Sequence, residues 1–238
     1  MTVFRRLRSR TDAATLGLML ALTFSTGIVD AIGYLGLDRV FAGNMTGNVV
    51  ILGMALSGVA NLPVVGPAIA LGAFMLGAVV GGRVLRPVAK GWTTRTTSLL
   101  TAVGLLLGVL ALVLGLAPEH PEWLALTVTG VLGGTMGLQA ATARHLGVKD
   151  VTTVVVTSTI TGLAADSRLA GGSGQPWFRR AAAIVLIAAG AGVGALALLV
   201  GLWLGLAIAA AITLIATLIG DLAVHTRHAP AEKASAAL

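Results

Sequence analysis

Asp30 is the single charge in the apolar run 14–37, and Thr26 and Tyr34 stand one helical turn to either side of it. At i−4 and i+4 the three share one face of a helix. A carboxylate at the centre of a membrane costs about 2.5–3.5 kcal/mol on insertion scales, so Asp30 needs a partner, water or a proton. Two readings stand open: a proton- or cation-coupling group, or a satisfied carboxyl bonded to free amides at a helix break or hydrated near the outer boundary. A second polar group, Asn44, Met45, Thr46, Gly47 and Asn48, has the composition of a helix start. Asn44 is placed to cap the orphan N–H groups, and Gly47 to let another backbone come close. At mid-membrane the partial positive charge of such a start favours an anion or a carbonyl oxygen. In the second half of the chain, Gln139 with Thr135 and Thr142 forms a neutral counterpart to the Asp30 face, and Thr152, Thr153, Thr157 and Thr159 form a hydroxyl-rich stripe. The same small polar residues would also serve to join helices by close packing and inter-helix hydrogen bonds, and Ala73, Gly77 and Gly81 at four-residue spacing read as a packing face rather than a pore lining.

The familiar catalytic constellations are missing. His120, His145, His225 and His228 lie at helix ends or in the tail, none at the spacing of H-E-x-x-H, and there is no G-x-S-x-G, P-loop or dinucleotide fingerprint. An intramembrane aspartyl protease needs two facing acids, and the other candidate, Asp221, follows Gly220 at a membrane edge. The chain has no cysteine, which excludes a disulfide scaffold, an iron–sulfur protein and any thiolate metal site. The expectation is therefore no catalytic residue, no metal and no cofactor.

The elements that must position these residues follow from composition. Of 238 residues, 56% are hydrophobic and 11% charged, against about 25% charged in soluble domains; the chain is a membrane protein, and its net charge of +7 matters by position rather than as a nucleic-acid footprint. A bilayer core of about 30 Å takes about 20 residues of helix. Six uncharged or nearly uncharged runs qualify: 14–37, 64–82, 96–117, 123–143, 181–200 and 202–220, the last two folding back near Gly201. Two shorter apolar segments, 45–60 and 151–165, leave six or eight crossings open by length, and charge decides. With both segments re-entrant, every Lys and Arg except Arg39 falls on the side of the two termini, whereas eight crossings would split the same residues almost evenly. The positive-inside rule selects six, with both termini cytoplasmic. Trp92, Trp123, Trp177 and Trp203 fall at helix ends, as an aromatic belt requires. The basic start imitates a signal peptide but lacks a small-residue cleavage site and reads as a retained first helix.

Leu35, Gly36, Val40, Thr46 and Leu52 recur 111 positions later as Leu146, Gly147, Val151, Thr157 and Leu163. The order of elements also repeats: a long helix, a short polar-tipped segment, two long helices. Three crossings per copy turn the second copy upside down, the inverted-repeat plan of many transporters, in which paired broken segments mark the binding site. The fold class expected is an all-α polytopic membrane protein of six transmembrane helices plus two short re-entrant or broken helices. Its parts are a basic arm (1–13), a first repeat (14–117), a second repeat (123–222) and a tail (223–238).

The stretches GIVDAIGYLGLDRVFAGNMTGN and GLQAATARHLGVKDVTTVVVTSTITGLAAD resemble the YoaK-like family of bacterial integral membrane proteins, which carry a domain of unknown function. The resemblance covers nearly the whole chain, and its specific part is the pairing of VDA with MTGN. It implies a polytopic inner-membrane protein and supplies no reaction or substrate. The second half departs from the expected pattern with Thr157-Ser158-Thr159 where a central glycine would permit closer backbone approach. The expected function is a transporter or channel for a small solute, an anion or a proton-coupled solute, with its site at the two broken helices. The alternatives are a non-transporting assembly or regulatory protein and, less favoured, a membrane-embedded enzyme acting on lipid. Expected partners are the lipid bilayer, the solute and a second copy in a homodimer, and no nucleic acid.

Overall fold

The computed structural model describes residues 2–58, 61–117, 119–147, 156–173 and 177–235, with side chains assigned in 15–223 of these. The described residues form eight helices and no strand: α1 (Thr2–Gly36), α2 (Met45–Leu56), α3 (Val65–Leu85), α4 (Thr94–Leu116), α5 (Glu122–Leu146), α6 (Val156–Ala165), α7 (Trp177–Ala197) and α8 (Leu202–Ser235). Six of them are long and apolar enough to cross a membrane. The chain is an all-α multi-pass membrane protein. The two shorter helices have 12 and 10 described residues, about 18 and 15 Å at 1.5 Å per residue, less than the thickness of a bilayer core. Helix ends follow local chemistry. Thr93 and Thr96 form a reciprocal capping box at the start of α4, and Gly147 ends α5 at φ +63°, a left-handed position that suits glycine. The basic arm and the tail continue α1 and α8 as helix.

Packing is dominated by three crossings: α1 on α7, α3 on α5, and α4 on α8. Exchanging α1 with α5, α2 with α6, α3 with α7 and α4 with α8 turns the first crossing into the second and returns the third to itself. The same exchange converts the α1–α8 contact into α5–α4 and the α2–α3 contact into α6–α7. The two halves thus pack alike. In lipid, apolar side chains gain little from meeting each other, so association needs backbones close together. Both crossings achieve this through glycine. A Cβ on Gly27 would strike the Ile187 carbonyl and one on Gly190 the Phe24 carbonyl, across α1 and α7; one on Gly77 would strike the Gly134 carbonyl and one on Gly137 the Phe74 carbonyl, across α3 and α5. A Cβ on Gly81 would sit 2.8 Å from the Ala141 methyl. The Gly77–Gly81 face is a packing face.

At the end of the bundle where α4 begins, the Trp92 indole lies on α8: a Cβ on Gly220 would fall inside its ring. The Trp92 Nε1–H donates to Thr97 Oγ1 at 3.0 Å, and Thr97 Oγ1 donates to Asp221 Oδ1 at 2.8 Å. Trp92 therefore takes part in an inter-helix clasp, while Trp123, Trp177 and Trp203 remain exposed in the first turns of their helices. The same clasp gives Asp221 a packing role. Thr97→Val keeps the side-chain shape and removes both bonds, so it should lower stability by about 1–3 kcal/mol, read as an earlier thermal transition of the purified protein. Unchanged melting would show that the hydroxyl carries none of the α4–α8 contact.

Candidate functional site

After α1 the chain turns through Asp38 and Arg39, both left-handed at φ +56° and +59°. It then runs back along the helix it has just left. Val40 N–H bonds the Gly33 carbonyl at 3.3 Å, and three residues deeper Gly43 N–H bonds Asp30 Oδ1 at 2.6 Å. Asp30 lies six residues, about 9 Å, before the end of α1, so the segment 37–44 descends by about that distance. There it reverses into α2. Asn44 caps the new helix, its Oδ1 accepting from Gly47 N–H at 3.4 Å, and its own N–H bonds Asp30 Oδ1 at 3.3 Å. Asn48, fully buried, bonds both main-chain groups of Phe41: its Oδ1 accepts from the Phe41 N–H at 2.9 Å and its Nδ2 donates to the Phe41 carbonyl at 2.6 Å. Extended backbone at membrane depth is tolerated when such groups are paired within the protein. Asn48 and Asp30 supply that pairing, and α2 rises beside the segment it followed.

The hairpin borders a cavity of about 540 Å³. Of the residues singled out from sequence, Thr26, Asp30, Tyr34, Asn44, Met45, Thr46, Gly47 and Thr157 line it. Thr46 and Thr157 are each the second residue of a short helix, α2 and α6, and each is the other's counterpart in the repeat. The cavity is where the two broken helices begin. Asn48, Gln139 and Thr159 do not line it. Asn48 is committed to Phe41, Thr159 is buried in α6, and Gln139 donates from Nε2 to Thr26 Oγ1 at 3.0 Å, joining α5 to α1 across the repeat axis. Gln139 Oε1 is buried without a partner among the described residues. Thr135 and Thr142 bond the Val131 and Leu138 carbonyls of their own helix. Thr152 and Thr153 lie outside the described residues.

Two sequence expectations change in detail. A Cβ on Gly47 would come within 2.5 Å of the Phe41 ring, so that glycine admits an aromatic ring and not a backbone. The Gly43 and Asn44 amides leading into α2 are taken by the Asp30 carboxylate, which brings a carboxylate to this helix start. Other features escaped sequence reasoning. Phe41 stacks on Tyr34 with ring centroids 4.8 Å apart, and Phe74 of α3 and Ile187 of α7 complete the apolar wall. The aromatic at position 41, seven residues after Tyr34 and beside the MTGN stretch, was the available signal for that stack. Nothing local marked Arg180, whose Nη1 binds the Gly162 carbonyl at 2.5 Å and Asp166 Oδ2 at 2.6 Å and so fastens α6 to α7. His145 Nε2 meets the Ala89 carbonyl at 3.0 Å, an anchoring contact at the end of α5.

Residues 18–219 match the model of a family described as a protein of unknown function, DUF1275. The chain is 30% identical over 193 residues to the UPF0700 transmembrane protein YoaK of Bacillus subtilis (strain 168), a similarity covering 76% of this chain and 82% of that relative. No solved structure matches significantly.

Proposed function

From the premise that the chain belongs to the DUF1275 family of membrane proteins, we propose that it is a transporter or channel for a small solute. The observation that carries this reading is the cavity at which α2 and α6 begin, lined from both repeats by Thr46 and Thr157. Inverted repeats that bring half-helix tips together place interrupted backbone beside a polar cleft, the arrangement secondary transporters use for a midplane site. Asp30, bonded to Gly43 and Asn44, holds the first tip in place and presents the one acidic side chain in the lining. The orientation that accompanies the reading puts both termini in the cytoplasm of a bacterial inner membrane, supported by the one-sided distribution of Lys and Arg.

Thiol labelling tests both parts, with no native cysteine to interfere. Thr46→Cys and Thr157→Cys in proteoliposomes should react with a small water-soluble thiol reagent, and Leu107→Cys, fully buried in α4, should not. Lys90→Cys should be shielded from an impermeant reagent in intact cells and labelled once they are opened. Thr46→Cys and Thr157→Cys as inert as Leu107→Cys would end the solute-path reading; labelling of Lys90→Cys in intact cells would invert the orientation.

A further inference from the structure

Resting on the solute-site reading, we propose that the cavity takes a small organic cation, with an ammonium head against Asp30 and an apolar or aromatic body against Tyr34, Phe41 and Phe74. The lining carries one carboxylate and, among the described residues, no Lys, Arg or His. Asp30 receives the Gly43 and Asn44 amides on Oδ1 and a further backbone contact from Ala42, and a carboxylate offers about four acceptor positions, so capacity remains for a donor from the cavity. An ammonium supplies N–H donors and no acceptor, the complement of that side chain. The Tyr34–Phe41 stack and Phe74 add ring faces and edges beside the acid, and aromatic faces attract cations.

Other solute classes fit less well. An anion would meet the Asp30 carboxylate with no cationic side chain among the described lining residues to oppose it. A hard divalent cation seeks six or more oxygen ligands, often several carboxylates; no group of three His, Cys, Asp or Glu able to hold a metal occurs among the described residues. The cavity, about 540 Å³, is far larger than a bare ion and lies within the roughly 300–1,000 Å³ of small-molecule sites. A polyol would leave much of its hydroxyl surface against Val50, Ile51, Val156 and Ile187.

The test uses three probes on one skeleton: 2-phenylethylammonium, 2-phenylethanol and phenylacetate, titrated calorimetrically at pH 7 into the purified full-length chain, with empty micelles as the blank. The ammonium should bind at least about tenfold more tightly than the alcohol, as a charge-assisted hydrogen bond implies, and phenylacetate should not bind measurably. Asp30→Asn should reduce the ammonium-over-alcohol preference to about one, while Tyr34→Leu should weaken the ammonium about threefold and keep the preference, consistent with a partly exposed cation–π contact. The wild-type ranking stands without either variant, so a misfolded Asp30→Asn does not remove the test. Alcohol or phenylacetate binding as tightly as the ammonium, a preference that survives Asp30→Asn, or no binding of any probe would each overturn the cation assignment. The solute path itself is judged separately by thiol access at Thr46→Cys and Thr157→Cys.

Discussion

Asn48→Leu is expected to destabilise the protein by about 2–6 kcal/mol, because it orphans the N–H and the carbonyl of Phe41 together, each at about 1–3 kcal/mol. Both bonds are short, 2.9 and 2.6 Å, and Asn48 is fully sealed from solvent. No neighbouring side chain bonds those two groups, and lipid offers no substitute. Such a loss is a large part of a typical folding free energy of about 5–15 kcal/mol. The measurement is thermal unfolding followed by helical circular dichroism, with protease sensitivity between residues 37 and 44 as a local readout. Val49→Leu, at a neighbouring exposed position of the same helix, should leave both unchanged. If Asn48→Leu melts with the wild type and resists protease equally, the extended segment is held by something other than this amide.

Gly137→Val and Gly190→Val should each lower stability by about 3 kcal/mol or more, beyond the usual 1–3 kcal/mol for overpacking. The obstacle is main chain and not a side chain free to rotate away. At Gly137 the new carbon would strike the Phe74 carbonyl and lie 3.0 Å from the Ala78 nitrogen; at Gly190 it would strike the Phe24 carbonyl and lie 3.3 Å from the Ile28 nitrogen. Relief requires the helices to separate, which forfeits contacts along the whole crossing. In both cases the new carbon meets a carbonyl and the amide four residues further along the facing helix, so the two losses should be similar. Gly72→Val and Gly192→Val, on α3 and α7 where a Cβ meets nothing within 4 Å, are the matched controls and should be close to neutral. A Gly137→Val protein as stable as Gly72→Val would mean the α3–α5 crossing tolerates separation. A large loss at Gly137 with none at Gly190 would mean the halves share a shape without sharing its energetics.

Most of the scaffold could be read from the chain, because the physics that sets it is local. Apolar runs of bilayer length, and basic residues gathered on one side of them, led to six crossings and two short segments. The helix bounds moved by a few residues: the run 181–200 became Trp177–Ala197 and 64–82 became Val65–Leu85, since caps and turns set ends that hydropathy blurs. Thr46 and Thr157 were legible as a pair because the repeat preserves register, and they do face one cavity. What escaped depended on contacts distant in sequence or indifferent to residue type. Asn48 looked like a ligand group because an amide side chain reads the same whether it binds a solute or a main chain. Trp92 looked interfacial because hydropathy sees the helix end but not Gly220. Gln139 was visible as polar, yet its link to Thr26, 113 positions away, exists only once α5 lies beside α1.

The two re-entrant helices are fastened at opposite ends. Asp30 and Asn48 grip the first at its inner tip, whereas Arg180 grips the second near its far end, at Gly162 and Asp166. A rod swings least where it is nailed, so these bonds steady α2 beside Thr46 and α6 between Gly162 and Asp166. The shared chamber is thus braced at its inner rim on one side and through an ion pair farther along the helix on the other, a difference that the duplicated architecture by itself would hide.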